Sequence, residues 1–541
     1  MPKPSWRYPA SVWPGLLISI SLISLAISLF GSLYSFSHTP SLSQIDSRIW
    51  YLFGFSIYQA FLSTLFSILL GVLLAWSLAH QRDFLFRDII IALFSSSLVL
   101  PTLIVAFGLI SVLGNNGWLN HLMHYFGFRG FGSWLYGLKG ILIAHTYLNA
   151  SFAARSLLHS FESIPPQRYK LSASLGLSLF KRFKVIEWPA IKGNIASISL
   201  TIFMLCFNSF AIVLLLGGSP SYNTLEVAIY EAIKIDFDIP FALKLAMLQL
   251  SFSALLVILS ASIKSKTTQL QTNSKNQIKQ GKLLNISQKT AIFLFATAYL
   301  LPLLAIVVDG LHSDLVKIFH QELFIRSLYI SIAVGFVSAL LSVSASLMIA
   351  NSRRSLTLSS RAKDTLSNKI LSYIIAFGSN LYLSIPSLIM GFGFFMLSRL
   401  LHGSLNSWAV VALLSANVLM SLPFALSNLY PAMQKNALKY DKLALSLSLN
   451  MLQRWKYIEW PHLRGIIGYI FALSFALSLG DLGVIALFGN DKITTLPWYL
   501  YQLMGSYHNS DASGVALVLL TLVLVVFLAI PKLIKQKSHQ N

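Results

Sequence analysis

The sequence is poor in charge. Asp, Glu, Lys and Arg make up 11% of it, where soluble domains carry about 25%. A deficit of that size across 541 residues, 55% of them hydrophobic, excludes an ordinary soluble fold. Cysteine is nearly absent as well. Cys206 stands alone, so no intramolecular disulfide can form and cysteine-ligated metal or redox chemistry lacks ligands. No Gly-x-x-x-x-Gly-Lys-Ser/Thr stretch exists to cradle nucleotide phosphates. There is no His-Glu-x-x-His pattern and no Gly-x-Ser-x-Gly elbow, and no enzyme active site is legible. Acidic residues are scarce, 18 against 40 basic. Such an excess points to nucleic acid only when it forms a stripe on a soluble face, and its placement here argues for no nucleic-acid partner.

What the chain does have is apolar runs of about 20 residues, each long enough to cross a hydrocarbon core about 30 Å thick as a helix. They do not alternate as barrel strands would. The expected class is an all-α polytopic membrane protein with about twelve transmembrane helices, at 12–35, 54–79, 89–113, 138–158, 194–216, 241–263, 291–310, 324–350, 370–398, 406–430, 466–488 and 514–531. The first run is too long for a signal-peptide core and reads as a retained span. With both termini on the cytoplasmic side, 31 of the 40 Lys and Arg fall in cytoplasmic segments. The basic charge is then a topology signal and a surface for anionic lipid or a cytoplasmic partner.

One polar stretch occurs twice. Lys170–Gly193 superposes on Lys442–Gly465 with an offset of 272 residues, and twelve of the 24 positions are identical. Each copy ends in Ile-Glu-Trp-Pro, at 186–189 and 458–461. Leu100-Pro101 with Phe107-Gly108 is matched by Ile385-Pro386 with Phe392-Gly393. An even number of spans per half makes this a parallel repeat. The expected modules are 1–263, with a loop at 160–193, and 291–541, with a loop at 432–465. A polar linker at 264–290 joins them as a flexible tether. Helix–helix connections usually take a few residues, so a 30-residue excursion calls for a role. Tyr169, Leu171, Leu175, Leu179 and Phe183 recur at helical spacing beside Lys170, Lys181, Arg182 and Lys184. Gly176 marks a bend between two short helices. Pro189 suits the start of the next membrane helix. The pattern predicts a docking hairpin; an interfacial helix on anionic lipid is the alternative, and duplication at matched positions argues against it.

Gly176 followed by Ile186 and Trp188-Pro189 resembles the Glu-Ala-Ala…Gly…Ile-x-Leu-Pro signature of ABC importer permeases. The match is partial. Lys170-Leu171-Ser172 and Lys442-Leu443-Ala444 replace Glu-Ala-Ala, Ser448 replaces the glycine, and Trp188 and Trp460 replace Leu. The lost glutamate removes any salt bridge specific to it. The resemblance implies a type I importer permease fold whose loops couple to a separate ATPase. The implied coupling residues are Lys170, Leu171, Ser174, Leu175, Gly176, Arg182, Lys184, Glu187 and Pro189, with Lys442, Leu443, Ser446, Leu447, Arg454, Lys456, Glu459 and Pro461. Further segments, Phe203–Phe207, Leu225–Tyr230, Gly480–Asp491 and Leu496–Gln502, are similar to fused two-module thiamine permeases of bacterial inner membranes. That implies import of thiamine or its phosphate esters, with two copies of a cytoplasmic ATPase, a periplasmic binding protein, and ATP and Mg bound only through the ATPase. An iron(III) importer of the same architecture is the alternative, and an ion-driven secondary transporter is the rival from another class.

Asp481 is the carboxylate hardest to remove from a span. A charge at membrane depth costs about 2.5–3.5 kcal/mol on insertion scales, so it reads either as lining a cation pathway or as a hydrated cap between Gly480 and Gly483. Its repeat-mate is Ser209, beside Asn208, another polar residue in an apolar run. His145 and Asn149 share one helical face, for interhelical bonding or for substrate. Pro101 and Pro386 are expected to kink or unwind their spans beside a cavity. The aromatics at 498, 499, 501 and 507 read as a cation-π cage or as belt anchors. Glu226, Glu231, Asp236 and Asp238 read as an outer acidic patch.

Overall fold

A computed structural model describes residues 9–35, 47–130, 132–218, 221–262, 281–358, 366–380, 382, 385–490 and 492–536, with no strand among them. The first half contributes α1 (Pro9–Ser35), α2 (Ser47–His80), α3 (Arg87–Ser95), α4 (Thr102–Leu113), α5 (Trp118–Tyr125), α6 (Leu138–Glu162), α7 (Pro166–Ser174), α8 (Leu179–Arg182), α9 (Trp188–Phe207), α10 (Ala211–Leu216), α11 (Leu225–Lys234) and α12 (Ile239–Ser262). The second contributes α13 (Lys282–Leu311), α14 (Leu315–His320), α15 (Glu322–Leu358), α16 (Leu366–Asn380), α17 (Ser387–Leu400), α18 (Leu405–Ser446), α19 (Met451–Arg454), α20 (Trp460–Gly480), α21 (Gly483–Phe488), α22 (Leu496–Gly505) and α23 (Asn509–Gln536).

Among the described residues, ten helices are long and apolar enough to cross a membrane. The two expected spans outside that set are 138–158 and 370–398. The first is α6, which carries His145, Asn149 and Arg155 among its apolar residues. The second is interrupted at Pro386, leaving α17 only 14 residues long. The span expected at 89–113 is likewise split at Pro101 into α3 and α4. Pro101 and Pro386 both hold extended backbone, ψ 130° and 149°, ahead of a new helix. A proline also pushes the residue before it out of the helical region, so these spans are broken rather than bent. Of the expected linker, residues 264–280 lie outside the described residues, and 282–290 are the opening turns of α13.

The chain forms two compact units that cut across its sequence halves. One holds 43–231 and 245–311; the other holds 1–42, 232–244 and 312–541. Each therefore takes its leading helix from the opposite half. In the first unit α13 packs on α2 and α4. Ile292 and Ala296 join a core with Leu74, Leu78, Phe94, Leu157 and Ile191. In the second unit α1 packs on α15, α16 and α17, and Val12 and Leu16 join Ile349, Ile375, Leu426 and Ile467. The matched glycines admit these helices. A Cβ on Gly108 would lie 2.8 Å from the Pro302 carbonyl oxygen, and one on Gly393 would lie 3.0 Å from Leu29 Cβ.

Candidate functional site

The two cassettes fold alike, and their backbone shows why. α7 stops where Gly176 turns left-handed, φ +63°, and the Leu177 N–H donates back to the Ser172 carbonyl at 3.0 Å. In the second copy Ser448 takes the same turn at φ +49°, and the Leu449 N–H donates to the Ala444 carbonyl at 3.1 Å. This is the helix stop that favours glycine, held by serine in one copy. The next helix is capped in both. Ser178 Oγ accepts from the Lys181 N–H at 3.5 Å, and Asn450 and Gln453 exchange side-chain-to-backbone bonds at 2.8 and 3.1 Å, a capping box. Upstream the copies differ. Ser163-Ile164-Pro165 separates α6 from α7, whereas α18 runs unbroken from its span into the cassette.

After the cap each chain widens into a five-residue π turn, Phe183–Glu187 and Trp455–Glu459, before Pro189 and Pro461. Proline cannot donate to the carbonyl four residues back and its ring crowds that carbonyl; an extra residue in the turn relieves both. Pro189 is the second residue of α9, which continues without a gap from the π turn before it. Such insertions are rare and frequent at functional sites.

The expected coupling residues separate into two groups. Lys170, Leu171, Ser174, Leu175, Gly176, Lys184 and Pro189 are exposed, as are Lys442, Leu443, Ser446, Leu447, Lys456 and Pro461. Leu175 and Leu447 are 65% and 60% exposed, and Phe180 adds 75%. Each cassette thus exposes leucines and lysines close together in sequence. Arg182 and Glu187 are buried, as is Glu459, with Arg454 half-buried. The expected apolar stripe divides the same way. Tyr169 and Phe183 pack on the core, and Leu171, Leu175 and Leu179 are exposed.

Glu187 Oε2 accepts from Trp76 Nε1 at 2.8 Å; Oε1 lies 3.2 Å from His80 Nε2 and 3.6 Å from Arg182 Nε. Burial and this carboxylate push the neighbouring Tyr169 phenol above its usual range. Glu459 Oε1 accepts from Arg354 Nη1 at 2.6 Å and Arg454 Nε at 3.0 Å. Both arginines also bind Asp441, Arg354 Nη2 at 2.6 Å.

Beyond the cassettes each following helix breaks at matched places. α9 ends before Asn208-Ser209-Phe210, and α20 ends before Asp481-Leu482. Short helices then pack on the proline-capped ones, α10 on α4 and α21 on α17. Asp481 Oδ1 accepts from the Gly483 N–H at 3.2 Å, and a Cβ on Gly483 would reach Ser387 Oγ. Asp481 and Pro386 are thereby brought to one place. In the other unit Asn208 Oδ1 accepts from Gln249 Nε2 at 3.3 Å, which also donates to Glu226 at 3.0 Å. Glu226 is 1% exposed, so it leaves the outer acidic patch and joins the break. The sequence groups it with the exposed acids; the signal for its burial is its place on an amphipathic ten-residue helix. His145 and Asn149 pack on neighbouring helices, His145 against Ser63 Oγ at 3.0 Å and Asn149 against Cys206 Sγ at 3.3 Å, beside the last turn of α9. Trp498 and Tyr499 are buried in packing, with Tyr499 donating to Gln321 at 2.5 Å. No group of His, Cys, Asp and Glu suited to a metal occurs among the described residues.

Residues 355–533 match the family model of binding-protein-dependent transport system inner membrane components. The chain is similar to the thiamine transport system permease protein ThiP of Haemophilus influenzae, 38% identical over 491 residues, covering 89% of this chain and 88% of that one. It is 35% identical over 532 residues to the protein of that name from Escherichia coli, covering 97% of each. The one from Brucella abortus is 34% identical over 511 residues, covering 94% and 91%.

Proposed function

We propose, for a chain that belongs to the family of thiamine transport permeases within the binding-protein-dependent inner membrane components, a division of labour between its cassettes and its broken helices. The protein is a multi-pass inner-membrane permease of an ABC importer for thiamine, and the full-length likeness to thiamine permeases sets the iron(III) reading aside. It is a translocation subunit. Two copies of a cytoplasmic ATPase bring ATP and Mg, one docking on each cassette tip, and a periplasmic binding protein delivers the cargo from the other side. Both termini then face the cytoplasm, and the lysines around the tips meet anionic lipid heads as well as the ATPase.

The observation that carries this reading is the duplication of one cassette geometry: the same left-handed stop, capped second helix, π turn and exposed leucines in both halves. Inside the membrane, Asp481 beside Ser387 and Pro386 in the second half and Asn208 with Ser209 in the first mark the backbone breaks after the cassette helices. Broken helices at membrane depth are tolerated where they line a cavity, and a carboxylate there suits a cationic cargo. His145 and Asn149 serve interhelical bonding through Ser63 and Cys206. The test is affinity purification of the tagged permease from native membranes. An ATPase at two copies per chain and thiamine-stimulated hydrolysis are expected; a permease that transports without any ATPase contradicts the reading.

A further inference from the structure

The buried acid of each cassette does something the exposed tip cannot. Glu187 and Glu459 sit in the π turns, and each meets three other elements. In the second half Glu459 joins Arg354 on α15, Arg454 on α19 and, through both arginines, Asp441 at the end of α18. Two acids and two bases close a ring whose side chains are 6–29% exposed. In the first half the matched position to Asp441 is Tyr169 on α7, and the match to Arg454 is Arg182 on α8. The place of Arg354 is filled by Trp76 and His80 on α2. The cassette keeps its Glu and Arg in both copies while the surrounding partners change from two ionic groups to a tyrosine, an indole and an imidazole. An acid taken out of water is tolerated only when paired, and packed apolar side chains stabilise such a site as well. Stability alone therefore does not account for placing the same acid in both π turns.

We propose that Glu187 and Glu459 are positioning residues for coupling. Each ties its docking cassette to the second membrane span of its half, α2 or α15, so that displacement of the cassette moves that span and is not absorbed at the π turn. This rests on the reading that the cassettes dock an ATPase. The second-half latch, built from four charged groups, carries more of the coupling than the first.

The experiment uses the full chain with its ATPase and binding protein in lipid nanodiscs or proteoliposomes. It compares Glu459→Gln, Glu187→Gln and Arg354→Lys, which keeps the charge but loses the fork that bridges Asp441 and Glu459. Glu459→Gln is expected to retain the ATPase at wild-type stoichiometry and hydrolyse ATP at a normal basal rate. Thiamine moved per ATP is expected to fall about tenfold, within the range of ordinary coupling strengths, with smaller falls for Glu187→Gln and Arg354→Lys. A role confined to folding lowers assembly or melting temperature and leaves that ratio unchanged. If Glu459→Gln does not assemble, Arg354→Lys decides. Normal thiamine per ATP in the assembled variants overturns the proposal. A double variant of the tips, Leu175→Ala with Leu447→Ala, separates the two readings. Loss of ATPase there with normal coupling in the latch variants overturns the latch alone, whereas full ATPase binding and coupling in every variant overturns cassette docking too.

Discussion

Truncating the two cassette tips tests docking with a magnitude that the structure supplies. Leu175 and Leu447 occupy matched positions and are 65% and 60% exposed, so most of each side chain remains to be buried by a partner. Leucine to alanine removes three carbons, worth about 2.4 kcal/mol at ~0.8 kcal/mol per buried methylene. Scaled by those exposures, each truncation costs about 1.5 kcal/mol of docking free energy and, with independent cassettes, the pair costs about 3 kcal/mol. Because one ATPase docks on each tip, that sum is spread over two sites, and each site's Kd rises roughly tenfold. Neither leucine belongs to the two buried cores, so the permease itself should fold and melt as before. The assay is titration of labelled ATPase onto nanodisc-embedded permease, with single and double variants side by side. A Kd for Leu175→Ala with Leu447→Ala within twofold of wild type refutes docking through the tips.

Other outcomes follow from single positions. Asp481→Asn should lower thiamine uptake about tenfold with assembly unchanged, as loss of one charge-assisted contact of ~1.5 kcal/mol requires; radiolabelled uptake in vesicles checks it. Ser448→Gly should stabilise the protein by about 1 kcal/mol, since a left-handed residue with a Cβ costs roughly 1–2 kcal/mol, and Gly176→Ser should cost a similar amount; thermal unfolding in detergent reads both. Gly108→Val should destabilise by about 1–3 kcal/mol through overpacking, because its Cβ meets the Pro302 carbonyl oxygen at 2.8 Å, and size-exclusion monodispersity after heating reports it.

The cassettes were legible in the sequence because they are polar inside an apolar chain, where composition, spacing and repetition all stand out. Gly176 announces its turn, and the partial signature points to the family even with Ser448 in the second copy. The exchange of α1 and α13 between units was not legible. Lipid tails are as apolar as leucine, so an apolar helix carries little record of which neighbours it packs against. Only the small residues at Gly108 and Gly393 hint at a close approach. The direction of Arg182, Arg454 and Glu187 was hidden for another reason. Their charge suggested an outward docking face, whereas the Arg and Glu of each cassette pair with one another and with groups on other helices far away in sequence, such as Trp76 and Arg354. Glu226 was misplaced because four acids close together in sequence resemble a solvated loop, and its partner Gln249 lies 23 residues away on another helix.

The most direct measurement of the central claim is ATP hydrolysis by the permease reconstituted with its ATPase and binding protein, with thiamine or iron(III) as the added ligand. The account predicts that thiamine-loaded binding protein stimulates hydrolysis and drives thiamine inward, that iron(III) does neither, and that uptake stops when the ATPase is withheld. Thiamine uptake driven by an ion gradient with no ATPase present would contradict it.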